Sequence, residues 1–239
     1  MRRPRVLFIR SLMKILYLQF IDIEGPETLE QFFIGKGYES DIIRLYKGQP
    51  LPENLNAFSA VVCLGGPMNV YEEEKYPHLK WVDILIKDIL KKEIPYLGLC
   101  LGSQLLAKAS GGKVVKSPRE EIGWYQVDLQ QDPLFEGIDN PLEVFHWHGD
   151  MFEISSEAKM IAMAEGCPNQ AFRVGKNAYG LQFHVEITRP SIDTWSRAYA
   201  PDMEERRQGM LARYDHIQKK YDAEAQKLYE NFYQIMTHD

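Results

Sequence analysis

Apolar residues recur along this chain with two periods. Short continuous runs at 15–20, 42–45, 60–64 and 94–99 read as strands covered on both faces. Between them, 27–36 reads as a helix ended by Gly37, and a loop carries Pro50 and Pro52. Leu79, Val82, Leu85, Ile86, Ile89 and Leu90 form a helical stripe over 78–92. Alternating buried strands and helices predict an α/β protein with a mostly parallel sheet and helices on both faces. Shorter strand-like runs follow at 123–129, 142–147, 159–164, 170–174 and 178–183. From 190 to 239 the chain is highly charged, with Leu211, Tyr214, Ile217, Tyr221, Leu228, Phe232 and Ile235 at helical spacing. Such a stripe predicts C-terminal helices that pack on the body, or otherwise offer a partner or dimer surface.

The strand at 94–99 runs into Gly98-Leu99-Cys100-Leu101-Gly102, and Leu105, Leu106 and Ala109 then continue at helical spacing. Strand, glycine-flanked turn and helix are the parts of a nucleophile elbow. The nucleophile sits on a turn that neighbouring side chains would obstruct, and the helix N-terminus behind it favours a thiolate and presents backbone N–H groups. Gly180-Leu181-Gln182-Phe183-His184-Val185-Glu186 reads as a short strand whose alternation places His184 and Glu186 on one face. A thiol nucleophile needs an imidazole to handle its proton, and the imidazole needs a carboxylate to fix its orientation. Cys100, His184 and Glu186 fill those three roles as the candidate catalytic triad. Gly66 falls, like Cys100, at the carboxyl end of a predicted strand, where parallel sheets place their sites.

Composition narrows this reading. At 239 residues, 45% hydrophobic and 26% charged, the chain is long enough for one large domain. A formal charge of −6 argues against a nucleic-acid partner. The cysteines Cys63, Cys100 and Cys167 lack the spacing of a disulfide framework and point to a reducing compartment. Cys63 reads as core, and Cys167 stands beside Pro168 in a loop. His146 and His148 alternate around Trp147, but no third ligand is apparent, so no metal and no cofactor are expected. The first residues pair charge with an apolar stretch, yet Arg10 and Lys14 interrupt it and no cleavage site follows. Residues 1–12 read as an N-terminal extension or a misplaced start. With no apolar run of about 20 residues, no membrane span is expected and the location reads as cytoplasmic.

Four segments resemble the class I glutamine amidotransferases, above all stand-alone proteins similar to the glutaminase portion of GMP synthase. They are the run from Leu64 to Glu72, the elbow from Gly98 to Gln104, Phe145-His146-Trp147-His148-Gly149-Asp150, and Gln182-Phe183-His184-Val185-Glu186. The likeness covers about residues 14–195. It departs at Val185, where many members carry proline, but the alternation that aligns His184 with Glu186 is kept. The resemblance implies a flavodoxin-like fold with a glutamine amidotransferase domain over 13–189 and a helical segment over 190–239. It also implies that Cys100 attacks the glutamine side-chain amide, that His184 shuttles the proton and that Glu186 orients it. Gly66 and Leu101 would donate backbone N–H groups to an oxyanion hole. Gln104, Gly149 and Asp150 would contact the substrate glutamine.

The ammonia acceptor is not visible. There is no second domain of synthase size and no Gly-x-x-x-x-Gly-Lys-Ser/Thr loop for ATP. Three readings follow: an amidotransferase feeding a separate synthase, a stand-alone γ-glutamyl hydrolase or peptidase using the same triad, and a partner-binding protein with a relict site.

Overall fold

The computed structural model describes residues 13–238. The N-terminal extension expected over 1–12 lies outside the described residues. In chain order the elements are β1 (Lys14–Gln19), α1 (Glu27–Gly35), β2 (Glu39–Arg44), β3 (Phe58–Cys63), α2 (His78–Lys91), β4 (Tyr96–Leu99) and α3 (Leu101–Ala109). They continue with β5 (Lys113–Leu129), β6 (Leu142–Glu153), β7 (Ala158–Met163), β8 (Ala171–Val174), β9 (Ala178–Leu181), α4 (Arg189–Tyr199) and α5 (Glu204–Thr237).

The strands join in the order β2-β1-β3-β4-β9-β8-β7-β5-β6. From β2 to β9 the pairings are parallel, and from β9 outward they are antiparallel. The α/β architecture with a mostly parallel central sheet is thus observed, and the later short strands extend it as an antiparallel wing.

The continuous apolar runs have a direct cause. Along β1, Ile15 and Tyr17 face one layer while Leu16 and Leu18 face the other, so the polar residues of the strand, Lys14 and Gln19, fall at its ends. The first layer is completed by Leu29 and Phe33 of α1 and by Leu228, Tyr229 and Phe232 of α5. The second is completed by Val82, Ile86 and Ile89 of α2 and Leu105 and Leu106 of α3. A third cluster joins Ile122 and Phe145 of the wing to Trp195 of α4 and Leu211, Tyr214 and Tyr221 of α5.

The C-terminal stripe is therefore turned inward. Leu211, Tyr214, Tyr221, Leu228 and Phe232 are all buried against the body, so the aromatic face is not presented to a partner. Helix α4 starts at a capping box in which Thr188 and Ser191 satisfy each other's backbone and side-chain groups. Among the described residues no helix is long and apolar enough to cross a membrane.

Two elements differ from the sequence reading. The strand expected to begin at 123 begins at Lys113, because β5 and β6 form a ribbon whose outer half is charged and exposed. The strand expected to run through Glu186 stops at Leu181, and His184 is held instead by an isolated bridge to Phe145.

Candidate active site

Cys100 is the hinge between β4 and α3, with φ +49° and ψ −105°. A non-glycine residue holds that conformation only where its surroundings impose it. The flanking glycines explain how they do so. A Cβ on Gly98 would lie 2.5 Å from the Gly102 carbonyl, and one on Gly102 would lie 2.0 Å from the Cys63 carbonyl oxygen. The turn closes because both positions are bare. Tyr96 Oη then donates to the Gly102 carbonyl at 2.8 Å, tying the turn to β4.

His184 and Glu186 follow β9, the strand paired with β4. His184 Nδ1 lies 2.7 Å from Glu186 Oε1, and the other carboxylate oxygen accepts from the Val185 amide at 2.9 Å. With Nδ1 engaged, Nε2 is left for Cys100. Burial disfavours a charged imidazole here, but Glu186 and Cys100 outweigh it and hold His184 well above its usual value. The segment is clamped from behind. Tyr221 Oη donates to the His184 carbonyl at 3.3 Å, Tyr229 Oη to Val185 at 2.8 Å and Thr28 Oγ1 to Glu186 at 2.9 Å.

These groups open onto a cavity of about 240 Å³ at the carboxyl edge of the parallel strands. Cys100, His184, Gly66, Leu101, Gln104, Gly149 and Asp150 all line it. Glu186 stands behind His184, out of the cavity. Neither the Gly66 nor the Leu101 amide makes a hydrogen bond among the described residues, so both donors are free for a ligand. Gln104 is also used internally, since its Nε2 donates to the Asp150 carbonyl at 3.2 Å and to Gln182 Oε1 at 3.3 Å. The Asp150 carboxylate is held by Lys116 Nζ at 2.7 Å and Tyr71 Oη at 3.0 Å.

Several residues of the site escaped the sequence reading. Gln182, fully buried behind the cavity wall, has its Nε2 3.8 Å from the Cys100 sulfur. Glu24 follows β1, and the only sequence signal for it was its place after a predicted strand. Trp195 and Tyr199 come from α4, beyond the domain boundary expected at 189, and their spacing of one helical turn aims both at the pocket. The Trp195 ring meets His184 edge-to-face at 4.8 Å.

The reading of His146 and His148 without a third ligand needs correcting. The register of β5 on β6 sets Glu121 opposite His148, and the three donor groups lie within 4.8 Å of one another. Their separation in sequence hid this. Glu121 Oε2 lies 3.3 Å from His146 Nδ1 and 3.2 Å from His148 Nε2, and it accepts from Gln170 Nε2 at 2.9 Å. The donor set suits a divalent metal, but the same atoms already satisfy one another as a buried hydrogen-bond network. Burial alone would push Glu121 up, yet the two imidazoles hold it far below the usual carboxylate range.

Burial drives His146 the other way, down to about 4. An imidazole in the unfolded chain titrates near ~6.5. Between those values the unfolded chain binds a proton that the folded chain refuses, so stability is full above the window and falls as pH drops through it. Denaturant midpoints measured from pH 7 to pH 4 are expected to fall more steeply for the wild type than for His146→Gln. Equal slopes would remove His146 as the cause.

Comparison with known proteins gives the family. The family glutamine amidotransferase class-I matches residues 26–194. The glutamine amidotransferase-like protein YfeJ of Salmonella typhimurium is 36% identical over 188 residues, which cover 76% of this chain and 79% of that protein. The chain belongs to the class-I glutamine amidotransferases, a family of glutamine-hydrolysing enzymes. Among solved structures, a glutamine amidotransferase from Thermotoga maritima superposes with a TM-score of 0.86 at 38% identity, over 92% of this chain and 97% of that one. One from Methylobacillus flagellatus gives 0.83 at 28% identity, over 94% and 95%. The glutamine-hydrolysing GMP synthase of Thermosipho africanus is 34% identical over 66% of this chain, a match that spans only 29% of that enzyme.

Proposed function

We propose that this chain hydrolyses the side-chain amide of glutamine through a thioester on Cys100 and delivers the ammonia to a separate acceptor enzyme. The observation that carries the reading is the convergence of the Cys100 elbow, the His184–Glu186 pair and two unengaged amides on one cavity.

The Cys100 sulfur forms a bond to the amide carbon, and the oxygen takes up negative charge against the Gly66 and Leu101 amides. Such donors contribute about 3 kcal/mol of transition-state stabilisation each. The carbon–nitrogen bond then breaks as the nitrogen takes the proton from His184 Nε2. Water attacks the thioester after giving a proton to His184, and glutamate leaves as the carbon–sulfur bond breaks. Glu186 keeps Nε2 aimed at the reacting atoms in both halves. Gln104, Gly149 and Asp150 shape the end of the cavity that holds the glutamine α-amino and α-carboxylate groups. The acceptor is read from the resemblance to glutamine-hydrolysing synthases that carry a further catalytic portion.

The same triad also supports a γ-glutamyl hydrolase or peptidase, in which only the leaving amine differs. The unpaired Glu24 carboxylate oxygen beside His184 favours keeping this second reading. Glutamate release by the purified protein from glutamine, and from a panel of γ-glutamyl amides and peptides, separates the two. Brisk glutamine turnover supports the amidotransferase; rapid cleavage of a larger compound with little glutamine turnover supports the stand-alone hydrolase.

Glu186→Gln tests the triad independently of the substrate. The amide keeps one acceptor oxygen, which the Val185 N–H holds, and turns its NH2 toward Nδ1; the His184 tautomer and the charge beside it are lost, and kcat is expected to drop by roughly 10²- to 10⁴-fold with little change in KM. Full activity in this variant would remove Glu186 from the reaction.

A further inference from the structure

Glu24 is a buried carboxylate in the cavity with no role in the scheme above. It is 6% exposed. Its Oε1 accepts a hydrogen bond from Tyr199 Oη at 2.6 Å, while Oε2 accepts none among the described residues. Gly65 shows where Oε2 points. A Cβ at Gly65 would lie 2.5 Å from Glu24 Oε2, 3.0 Å from His184 Cε1 and 3.7 Å from Cys100 Cβ, so the three side chains converge on the space that glycine leaves open. The carboxylate therefore stands on the Cε1 side of the imidazole, the carbon that joins its two ring nitrogens, and on the side from which Cys100 approaches.

The charges around that point do not balance. Among the described residues no lysine or arginine lines the cavity, and the His184 beside Glu24 is already paired with Glu186. Burial pushes Glu24 up and the His184 charge draws it back, as expected of a carboxylate short of a counter-ion. When His184 gives its proton to the departing nitrogen, even that charge is lost. The walls here are Trp147, Trp195 and Tyr199, whose ring faces attract cations.

We propose that Glu24, braced by Tyr199, is the leaving-amine subsite of this cavity and that its ligand is a protonated amine. The nitrogen leaves carbon with its bonding electron pair and the proton from His184. A second proton, taken up from solvent and returned to it when the new γ-carboxylic acid ionises, makes it an ammonium ion, which pairs with Glu24 Oε2. The ion is either free ammonium from glutamine or the amine end of a larger γ-glutamyl compound. The inference rests on Cys100 cleaving γ-glutamyl amides, and its test is arranged to stand apart from that reading.

The test uses the full chain, with methylammonium chloride as the probe. Alkylation of Cys100 by iodoacetamide is followed by mass spectrometry in methylammonium, tetramethylammonium or sodium chloride at equal ionic strength. Methylammonium is expected to slow labelling several-fold and sodium to leave it unchanged, whereas tetramethylammonium, which meets the aromatic walls but offers no N–H donor to Oε2, protects less than methylammonium and equally in wild type and Glu24→Gln. In Glu24→Gln the methylammonium concentration that gives half-protection is expected to rise about tenfold, the size of one lost charge-assisted hydrogen bond. If that variant does not fold, the three salts still decide the matter in the wild type, and Glu24→Asp is expected to keep part of the protection. Equal labelling in all three salts, or equal methylammonium protection in wild type and Glu24→Gln, overturns the subsite.

A second arm measures ammonium inhibition of glutamine hydrolysis, expected to weaken about tenfold in Glu24→Gln. Methylammonium against amines derived from larger γ-glutamyl substrates then distinguishes the two sources. Protection without any glutamate release keeps the subsite and removes the hydrolase reading. Glutamate release with identical ammonium inhibition in both proteins does the reverse.

Discussion

Cys100→Ala is expected to release no measurable glutamate from glutamine or any γ-glutamyl amide, a loss of at least about four orders of magnitude, with the fold intact. The sulfur is the only atom removed, and it points into the cavity rather than into the core. Apart from His184, its polar contacts are two long ones, to the Trp147 carbonyl and Gln182 Nε2, both at 3.8 Å. Alanine keeps the Cβ, so the strained backbone at φ +49° is no worse served than before. Cys63 provides the contrast. It is fully buried, and burial pushes its thiol up to about 12, so it is no nucleophile at neutral pH. Cys63→Ala is expected to lose about 1–2 kcal/mol of stability through the cavity it leaves, and to turn over substrate normally once folded. Activity and thermal unfolding measured on both variants check the pair. Turnover by Cys100→Ala, or a well-folded but inactive Cys63→Ala, would place the nucleophile elsewhere.

The parts of the site that were legible in the sequence are those where the backbone constrains residue type. An elbow demands glycine on either side of Cys100, and a histidine held by a carboxylate two residues on leaves a readable alternation at His184 and Glu186. Buried parallel strands such as β1 and β4 leave continuous apolar runs because both faces are covered. Where one face meets water, that signal weakens. The outer half of β5, around Lys116 and Glu120, pairs only with β6 and has a face open to water, so its sequence carries charge there.

Long-range assembly was illegible for a different reason. Glu121 meets His146 and His148 only because a register shift between Lys116 and Glu121 sets the pairing of β5 with β6. Trp195 and Tyr199 reach the cavity because α4 folds back over the carboxyl edge of the sheet, where Trp195 Nε1 donates to the Ile23 carbonyl at 2.9 Å. Nothing in the local spacing of these residues encodes where the helix lands. The amphipathic stripe of α5 showed that one face is buried, and only the structure shows that Tyr221 and Tyr229 on that face grip the backbone of the triad segment.

Gly102→Ala is expected to be the most damaging single methyl group that can be added near the site. The new carbon would stand 2.0 Å from the Cys63 carbonyl oxygen and 2.7 Å from its carbon. Neither atom can yield. Cys63 is the last residue of β3, whose backbone is fixed by pairing with β1 and β4, and α3 is fixed by the elbow it continues. A flexible side chain could rotate away from such a contact, but backbone held on both sides can relax only by moving α3 off the sheet. That movement would break the Tyr96 hydroxyl contact to the Gly102 carbonyl and shift the Leu101 amide from the cavity wall. A cost of about 3 kcal/mol or more is expected, at the upper end for overpacking. Thermal unfolding should show a large drop, and any folded fraction should alkylate Cys100 slowly and hydrolyse glutamine poorly. Gly111→Ala is the control. A Cβ there meets only the Ser155 side chain at 3.9 Å, so its cost comes from φ +87° alone, and activity should survive. If Gly102→Ala were as stable and active as Gly111→Ala, the close contact between α3 and β3 would not be what forms the elbow.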